Sequence, residues 1–167
     1  IAFSNIVVNG NLDPKISEVW SKNRILRPQF LETVVFNEHF RSSITRNGVC
    51  IRGAWFRETL NLSNAILSFP FAIESSRFEE DVYFSFLKTS QLLYLAKNNF
   101  LKRLNMSSVQ IDNYLIIEKE SEFTSVDLNN AIIGGDLILN GAKFRSTLNM
   151  NSLKVKGIFT VGDKSEF

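Results

Sequence analysis

The sequence predicts a mainly β fold, a four-sided parallel β-helix (a β-solenoid) that follows a short α-helical cap. A phenylalanine recurs along the chain with spacings of 22, 22, 23, 21 and 23 residues. Between successive phenylalanines, apolar residues come in pairs separated by one residue, which is the period of a strand, in steps too short for helices. The recurring residues are Phe56, Phe78, Phe100, Phe123, Phe144 and Phe167.

Each interval divides into four steps, and each step ends in an inward pair of apolar or small residues. In residues 123–144, FTSVDLNNAIIGGDLILNGAKF, the pairs are Val126 and Leu128, Ala131 and Ile133, Leu137 and Leu139, and Ala142 and Phe144. A chain that turns four times within one interval closes on itself, so successive coils stack about 4.8 Å apart with paired main chains. The frame fits the other intervals except at Thr89, where we expect a local bulge or a hydrogen-bonded hydroxyl.

A small or short polar residue stands two positions before every phenylalanine. These residues are Ala54, Ser76, Asn98, Ser121, Ala142 and Ser165. Because a phenylalanine ring at the centre of a coil fills most of it, its inward neighbour has to leave room. The sequence therefore predicts a column of six stacked rings along the solenoid axis.

This pattern resembles the pentapeptide-repeat family, whose unit is a small residue, any residue, and then Leu or Phe. The resemblance covers about 120 of the 167 residues and implies a right-handed square β-helix. Several steps here have six residues, and the positions two before Leu are often Leu or Val. The longer coils and the segment GVCIRGAWF, Gly48 to Phe56, are more similar to diverged bacterial relatives often labelled membrane-associated oxidoreductases. No nucleotide, haem or flavin motif supports that activity.

The residues before the solenoid predict two helices. Asp13 and Pro14 are typical of a helix start, and the segment KISEVW continues it. Pro28 begins a second helix that runs to about residue 36. Its apolar stripe comprises Phe30, Leu31, Val34 and Val35. Because an open β-helix end exposes strand edges and apolar side chains, we assign residues 1–43 to a helical cap and residues 44–167 to a quadrilateral β-helix of about five coils.

No group of residues in the sequence predicts a catalytic, cofactor-binding or metal site. His39 is the single histidine and has no partner carboxylate pattern, so we expect a structural role, with catalysis as the alternative. Cys50 is the single cysteine and stands between the inward residues Val49 and Ile51. We expect it to point outward or to the cap as an ordinary thiol.

Two polar patterns have a structural and a functional interpretation. Residues 134–136, Gly-Gly-Asp, suggest a phosphate loop, but they lie between two strands, so we interpret them as a corner. Asparagines at matching positions could bind a polar ligand in a row, although stacked asparagines also hydrogen-bond along solenoids, which we favour. These asparagines are Asn61, Asn105 and Asn149.

Charged residues follow the phenylalanines along one edge of the predicted solenoid. They are Arg57-Glu58, Glu79-Glu80-Asp81, Lys102-Arg103 and Arg145, with Thr124-Ser125 between the last two. Stacking places the acidic set between two basic ones, so we expect ion pairs that fix the strand register. Lys22, Arg24 and Arg27 form a basic cluster that we interpret as a solvated flank, with an acidic partner or a lipid head group as the alternative.

The composition of the chain limits which binding partners and which cellular location are expected. Nineteen basic and 17 acidic residues give a net charge of +2 without a basic stripe, so no direct nucleic-acid binding is expected. The chain, which begins at Ile1, shows neither a long apolar run nor a charged-then-apolar leader, so neither a membrane span nor a signal peptide is expected. The single cysteine slightly favours a reducing compartment and hence a cytoplasmic location, with membrane association left open.

We therefore expect a non-enzymatic recognition or scaffold module of a bacterial protein, without cofactors or metals. It is expected to bind a protein partner through a flat side or an end, and a homo-oligomer through a solenoid end is also open. One alternative is a DNA-mimicking, topoisomerase-binding pentapeptide-repeat protein, which would need dense negative charge. Another is a domain of a membrane-associated or polysaccharide-active enzyme, for which a carboxylate set would be needed.

Overall fold

The computed structural model describes residues 6–7, 13–16, 18, 20–162 and 164–167. Within them, the chain winds into a β-solenoid of about five turns with coils of about 22 residues, and all strand pairs are parallel. Three sheets form its four sides, because the second sheet bends around a corner. The predicted mainly β fold, with α-helices near the amino terminus, is confirmed.

Each side is a ladder of short strands, numbered along the chain. The first side contains β1 (Ile6–Val7), β2 (Val49–Arg52), β6 (Phe71–Glu74), β10 (Leu93–Ala96), β13 (Leu115–Glu118), β16 (Leu137–Ile138) and β19 (Phe159–Thr160). The second side contains β3 (Trp55–Phe56) and β7 (Arg77–Phe78), and the third contains β4 (Leu60–Asn61) and β8 (Val82–Tyr83). The longer β11 (Asn99–Asn105), β14 (Glu122–Asp127) and β17 (Lys143–Asn149) continue from the second side to the third. The fourth side contains β5 (Ile66–Leu67), β9 (Lys88–Thr89), β12 (Gln110–Ile111), β15 (Ile132–Ile133) and β18 (Lys154–Val155).

The six recurring phenylalanines form the predicted column. Successive ring centroids lie 4.7, 4.3, 4.8, 5.5 and 5.3 Å apart, and every pair is stacked. These distances match the spacing of hydrogen-bonded strands, so each ring rests on the one in the coil before it. The first four rings are almost completely buried, whereas Phe167 in the last coil is 67% exposed.

The remaining inward pairs are buried as predicted in all but the last coil. Leu60, Leu62, Ala65 and Leu67 in the first interval are all within 1% of complete burial. Thr89 is also buried, and its hydroxyl accepts a hydrogen bond from the main-chain N–H of Gln91 at 3.0 Å. Its strand keeps an unbroken register, so the hydrogen-bonded hydroxyl is confirmed and a bulge is not present there.

The short residues two positions before the phenylalanines do more than leave room for the rings. Ser76 Oγ accepts the main-chain N–H of Ala54 at 3.1 Å, and Asn98 Oδ1 accepts that of Ser76 at 3.0 Å. Ser121 Oγ continues the series by accepting the N–H of Asn98 at 3.3 Å. These bonds join each coil to the next inside the core, where an unpaired N–H would be costly. The sequence argument, which considered volume alone, did not predict this ladder.

The residue gained or lost where the phenylalanine spacing changes from 22 to 23 and then to 21 lies at corners of the solenoid. Lys119 and Glu120 both have positive φ, so the extra residue of the 23-residue interval sits in this corner before Phe123. The register then shifts between Phe123 and Ser125, where one residue fewer follows the ring. The two changes cancel, so the inward pairs of the later coils return to their places.

Two α-helices precede the solenoid: α1 (Pro28–Phe36) and α2 (Glu38–Arg41). The predicted second helix is α1, and its residues Leu31, Val34 and Val35 are buried in the common core. At the predicted first helix, residues 14 and 15 form a turn in which the Asp13 carboxylate accepts the N–H of Lys15 at 2.9 Å. Residues 17 and 19 of that segment lie outside the described residues. The division of the chain at residues 43 and 44 stays a prediction.

Two segments before the first coil extend its sheets, which the sequence did not predict. Ile6 and Val7 pair with Ile51 and Arg52 on the first side. Ile25 forms a bridge to Trp55 on the second side, and the next residue donates its N–H to the Trp55 carbonyl at 3.1 Å. Parts of the amino-terminal region therefore lie against the edge of the first coil and pair with it.

Candidate interaction surfaces

The two residues singled out by their chemistry lie apart from each other. His39 is exposed on α2, and its ring packs edge to face against Phe40 at 5.7 Å. Cys50 lies on the outer surface of β2, as the alternation predicted, with its Sγ 3.8 Å from Glu74 Oε1. Burial raises the pKa of the Cys50 thiol, and the Glu74 carboxylate raises it further. Both effects favour the neutral thiol over the nucleophilic thiolate.

Residues 134–136 lie at the corner between the fourth and first sides. Gly134 donates its N–H to the Ile111 carbonyl at 2.7 Å, and Gly135 donates its N–H to the Asn113 carbonyl at 2.8 Å. A phosphate loop needs free N–H groups that converge on the anion, and these two are used between coils. A Cβ at Gly134 would lie 2.5 Å from the Asp112 carbonyl oxygen, which explains the need for glycine.

The matching asparagines close turns at the end of the third side. In each case the side-chain oxygen accepts the main-chain N–H two residues later, at 3.0 Å in Asn61 and Asn105 and at 3.1 Å in Asn149. Asn149 also donates to the neighbouring Asp127 carboxylate at 3.1 Å. The structure thus gives these side chains a local role in turns.

The charged edge pairs across coils as the sequence predicted. Arg57 lies 3.6 Å from Glu79, and Lys102 lies 2.6 Å from Glu80, so the acidic coil is bracketed by basic ones. The basic side chain of each pair is exposed, so screening by solvent keeps its contribution to stability small. Of the basic cluster, Lys22 and Arg24 lie on a 3-10 helix (Lys22–Arg24) and Arg27 directly precedes α1.

The outer surface of the first side is apolar, which sets it apart from the third side. One residue of each strand points outward between the two inward residues, and in five successive coils this residue is apolar and half-buried. These residues, here called the outer ladder, are Cys50, Ala72, Tyr94, Ile116 and Ile138. A neighbouring column adds Pro70, Leu92, Tyr114 and Ile158, with the acidic Asp136 between the last two. The corresponding positions on the third side are Asn61, Tyr83, Asn105, Asp127 and Asn149.

Tyr94 is held in place at the centre of the outer ladder. Its hydroxyl donates to Glu118 Oε1 at 2.6 Å and accepts from Lys119 Nζ at 2.7 Å. The Lys119 ammonium also lies 5.4 Å from the centroid of the tyrosine ring. Burial raises the pKa of Tyr94 and the bond to Glu118 adds to this rise, so the phenol remains protonated at neutral pH. A fixed aromatic side chain loses little conformational freedom when a partner covers it.

A second surface lies beneath residues 13–16 and Trp20, here called the strap. The strap covers a column of side chains that point outward from the second side, and its Pro14 and Trp20 are buried. The covered residues, here called the strap column, are Trp55, Arg77, Asn99 and Glu122. Sequence reasoning missed both the outer ladder and the strap column. The ladder did have a signal, since the outward residue of that step is apolar in five coils.

Comparisons with known proteins add no relative to this description. No family model, no curated protein and no solved structure shows a significant match to the chain. Among the described residues, no group of three or more histidine, cysteine or acidic side chains is placed to hold a metal ion. None of the helices in that part of the chain has the length and apolar character needed to cross a membrane.

Proposed function

We propose that this chain is a recognition or scaffold module, without enzymatic activity, that binds a protein partner through the outer surface of its first side. The observation that carries the proposal is the outer ladder, an apolar stripe running through five coils. Stripes of this kind that remain accessible in a folded protein are typical of contact surfaces.

The composition of the first side suits a protein interface. Its centre carries Tyr94 and Ile116, and aromatic residues are enriched at the centres of interfaces. Its margin carries ion pairs, with Arg52 3.0 Å from Glu74 and Lys119 3.2 Å from Glu118. An apolar centre with a polar margin favours a broad protein contact over the enclosure of a small molecule.

We also propose that the chain is a diverged bacterial member of the pentapeptide-repeat group. Coils of about 22 residues, four sides and a central column of stacked phenylalanines support this relationship. Cys50 is an unpaired, half-buried thiol, which fits a reducing compartment such as the cytoplasm.

Site-specific photo-crosslinking tests the proposed contact. A photoreactive amino acid replaces Ile116 on the first side, or Gln110 on the fourth side of the same coil, and each variant is irradiated in an extract of the source cells. We expect a protein adduct, identified by mass spectrometry, from position 116 and not from position 110.

Substitution provides the second arm of the test. Ile116→Arg is expected to abolish recovery of the crosslinked protein in a pull-down, whereas Gln110→Arg, a matched exposed strand position, leaves it unchanged. Equal recovery with both variants would reject the first side as the contact. Turnover of a substrate by the purified protein, lost on a single substitution, would reject a non-enzymatic function.

A further inference from the structure

The strap column is unusual because its charged and polar side chains are buried although they point away from the core. Arg77, Asn99 and Glu122 are each 7% exposed, and the strap covers them. Burying a charge in this way needs a partner for it, so the contacts between the strap and the column define what this groove can bind.

The described residues of the strap contact the groove through Pro14, Lys15 and Trp20. The Pro14 carbonyl accepts from Arg77 at 3.0 Å and from Asn99 at 3.3 Å. The Lys15 ammonium lies 2.7 Å from Glu122 Oε1. At the end of the strap column that lies in the first coil, Trp20 packs against Trp55 with ring centroids 6.5 Å apart. From the first coil onward, an aromatic ring, a carbonyl acceptor and a cation of the strap thus occupy successive positions along the groove.

The strap leaves part of the groove unsatisfied. The Nε1 of Trp55 is buried and has no hydrogen-bond partner. Buried N–H groups without an acceptor are rare in folded proteins, because each one loses its bond to water. A segment offering one more acceptor at this end would therefore fit the groove better than the strap does.

We infer that the strap is a displaceable occupant of a peptide-binding groove, and that an extended segment of the protein partner takes its place along the strap column. The segment presents a backbone carbonyl to Arg77 and Asn99, a basic side chain to Glu122, and a further hydrogen-bond acceptor to the indole N–H of Trp55. This inference rests on the proposed recognition function and adds a second contact to it.

When the strap is released, both charged residues of the groove, Arg77 and Glu122, keep an ionic partner. Glu122 is also bound by Arg145 at 2.6 Å, and Arg77 lies 3.6 Å from Glu79. Because both charges keep a partner, opening avoids the penalty of an isolated buried ion.

A fluorescein-labelled peptide with the sequence of residues 13–20 tests the inference by fluorescence anisotropy. In the full chain, Lys15→Glu places two carboxylates together and is expected to lift the strap. The variant should bind the peptide about tenfold more tightly than the unmodified chain, because the intramolecular competitor is removed. Lys22→Glu, an equal charge change on an exposed residue outside the groove, should bind like the unmodified chain.

Further variants keep the test decisive. Trp20→Ala lifts the strap by removing its anchor and should also increase binding. In the Lys15→Glu background, Asn99→Ala and a peptide with glutamate at the lysine position should each weaken it. Circular dichroism verifies that every variant is folded. Equal peptide binding by the unmodified chain and both opened variants, or no binding by either opened variant, would overturn the inference.

The result is separable from the test of the first side. Loss of peptide binding with normal crosslinking at position 116 rejects the groove and keeps the proposed function. Peptide binding without crosslinking at position 116 keeps the groove and rejects the first side as the contact.

Discussion

The inner and outer surfaces of the first side obey different rules. Inward positions are apolar in every coil, because each must fill the space left by the coils on either side. Outward positions are free of that constraint, and apart from Tyr83 they are polar on the third side, whereas the outer ladder of the first side is apolar. The comparison indicates that the inward residues determine the fold, whereas the outward residues are free to form a contact surface.

The largest expected effect comes from the central column. Phe100→Ala removes a buried ring stacked between two others and should lower the free energy of unfolding by about 3–5 kcal/mol. Urea denaturation followed by circular dichroism measures this change. The control is Phe86→Ala, since that side chain is 56% exposed and its loss should cost much less. Similar costs for the two substitutions would contradict the difference between inside and outside.

The second-largest loss of stability is expected at the inner hydrogen-bond ladder, in which Ser76, Asn98 and Ser121 accept main-chain N–H groups. Ser76→Ala leaves the buried N–H of Ala54 without its acceptor and is expected to cost about 2 kcal/mol. Ser63→Ala, which removes an outer hydroxyl 2.9 Å from that of Ser85, should cost about 0.5 kcal/mol. Thermal unfolding of both variants tests the ranking, and a harmless Ser76→Ala would show that the inner ladder only fills space.

Substitution of Glu122 tests how much an outward-pointing residue buried by the strap contributes to stability. Burial alone would raise the pKa of the Glu122 carboxyl, but hydrogen bonds from Lys15 and Arg145 outweigh burial and lower it below 4.5. Because the folded-state pKa is depressed, the stabilisation is present above the unfolded-state pKa and is lost as pH falls through the folded-state pKa. Glu122→Gln should therefore cost about 1.5 kcal/mol at pH 7 and progressively less below pH 4.5.

The pH dependence of unfolding separates this ion pair from general acid effects. Glu58→Gln is the control, because Glu58 is exposed and its substitution should change the free energy of unfolding little. A cost for Glu122→Gln that stays constant from pH 7 to pH 3 would contradict the assigned ion pairs.

The smallest effect on stability is expected at the outer ladder. Ile116→Ser keeps the strand pairing and exposes a hydroxyl in place of a half-buried apolar group, so it should lower the free energy of unfolding by about 1 kcal/mol. The same substitution should abolish partner recovery. A large loss of stability at Ile116 would mean that the ladder supports the fold and is not reserved for contact.

Much of the fold could be predicted from the sequence because a solenoid is defined by local repetition. The positions of Phe56 to Phe167 and their inward neighbours fix both the coil length and the order of the sides. The exception at Thr89 was also predictable, since a buried hydroxyl needs a nearby partner and the main chain offers one. The corner at Gly134 followed from the same periodicity, whereas the turn at Asn61 did not, since hydrogen bonding along the solenoid was expected there.

The candidate surfaces were harder to predict because they depend on contacts distant in sequence. Pro14 reaches Arg77 and Asn99, 63 and 85 residues away, and no periodic signal connects them. The turn at residues 14 and 15 is part of the same arrangement, because it places the Pro14 carbonyl against both side chains.

The sequence by itself determined the parallel coils, their length and the stacked aromatic core, because each repeat can bury its apolar pair only against its neighbours. Tertiary structure alone decided that segments near the amino terminus pair with the first coil and that residues 13–16 and Trp20 cover the strap column. These contacts join parts of the chain that share no repeat, so their free energy depends on a groove that forms only when the coils have stacked.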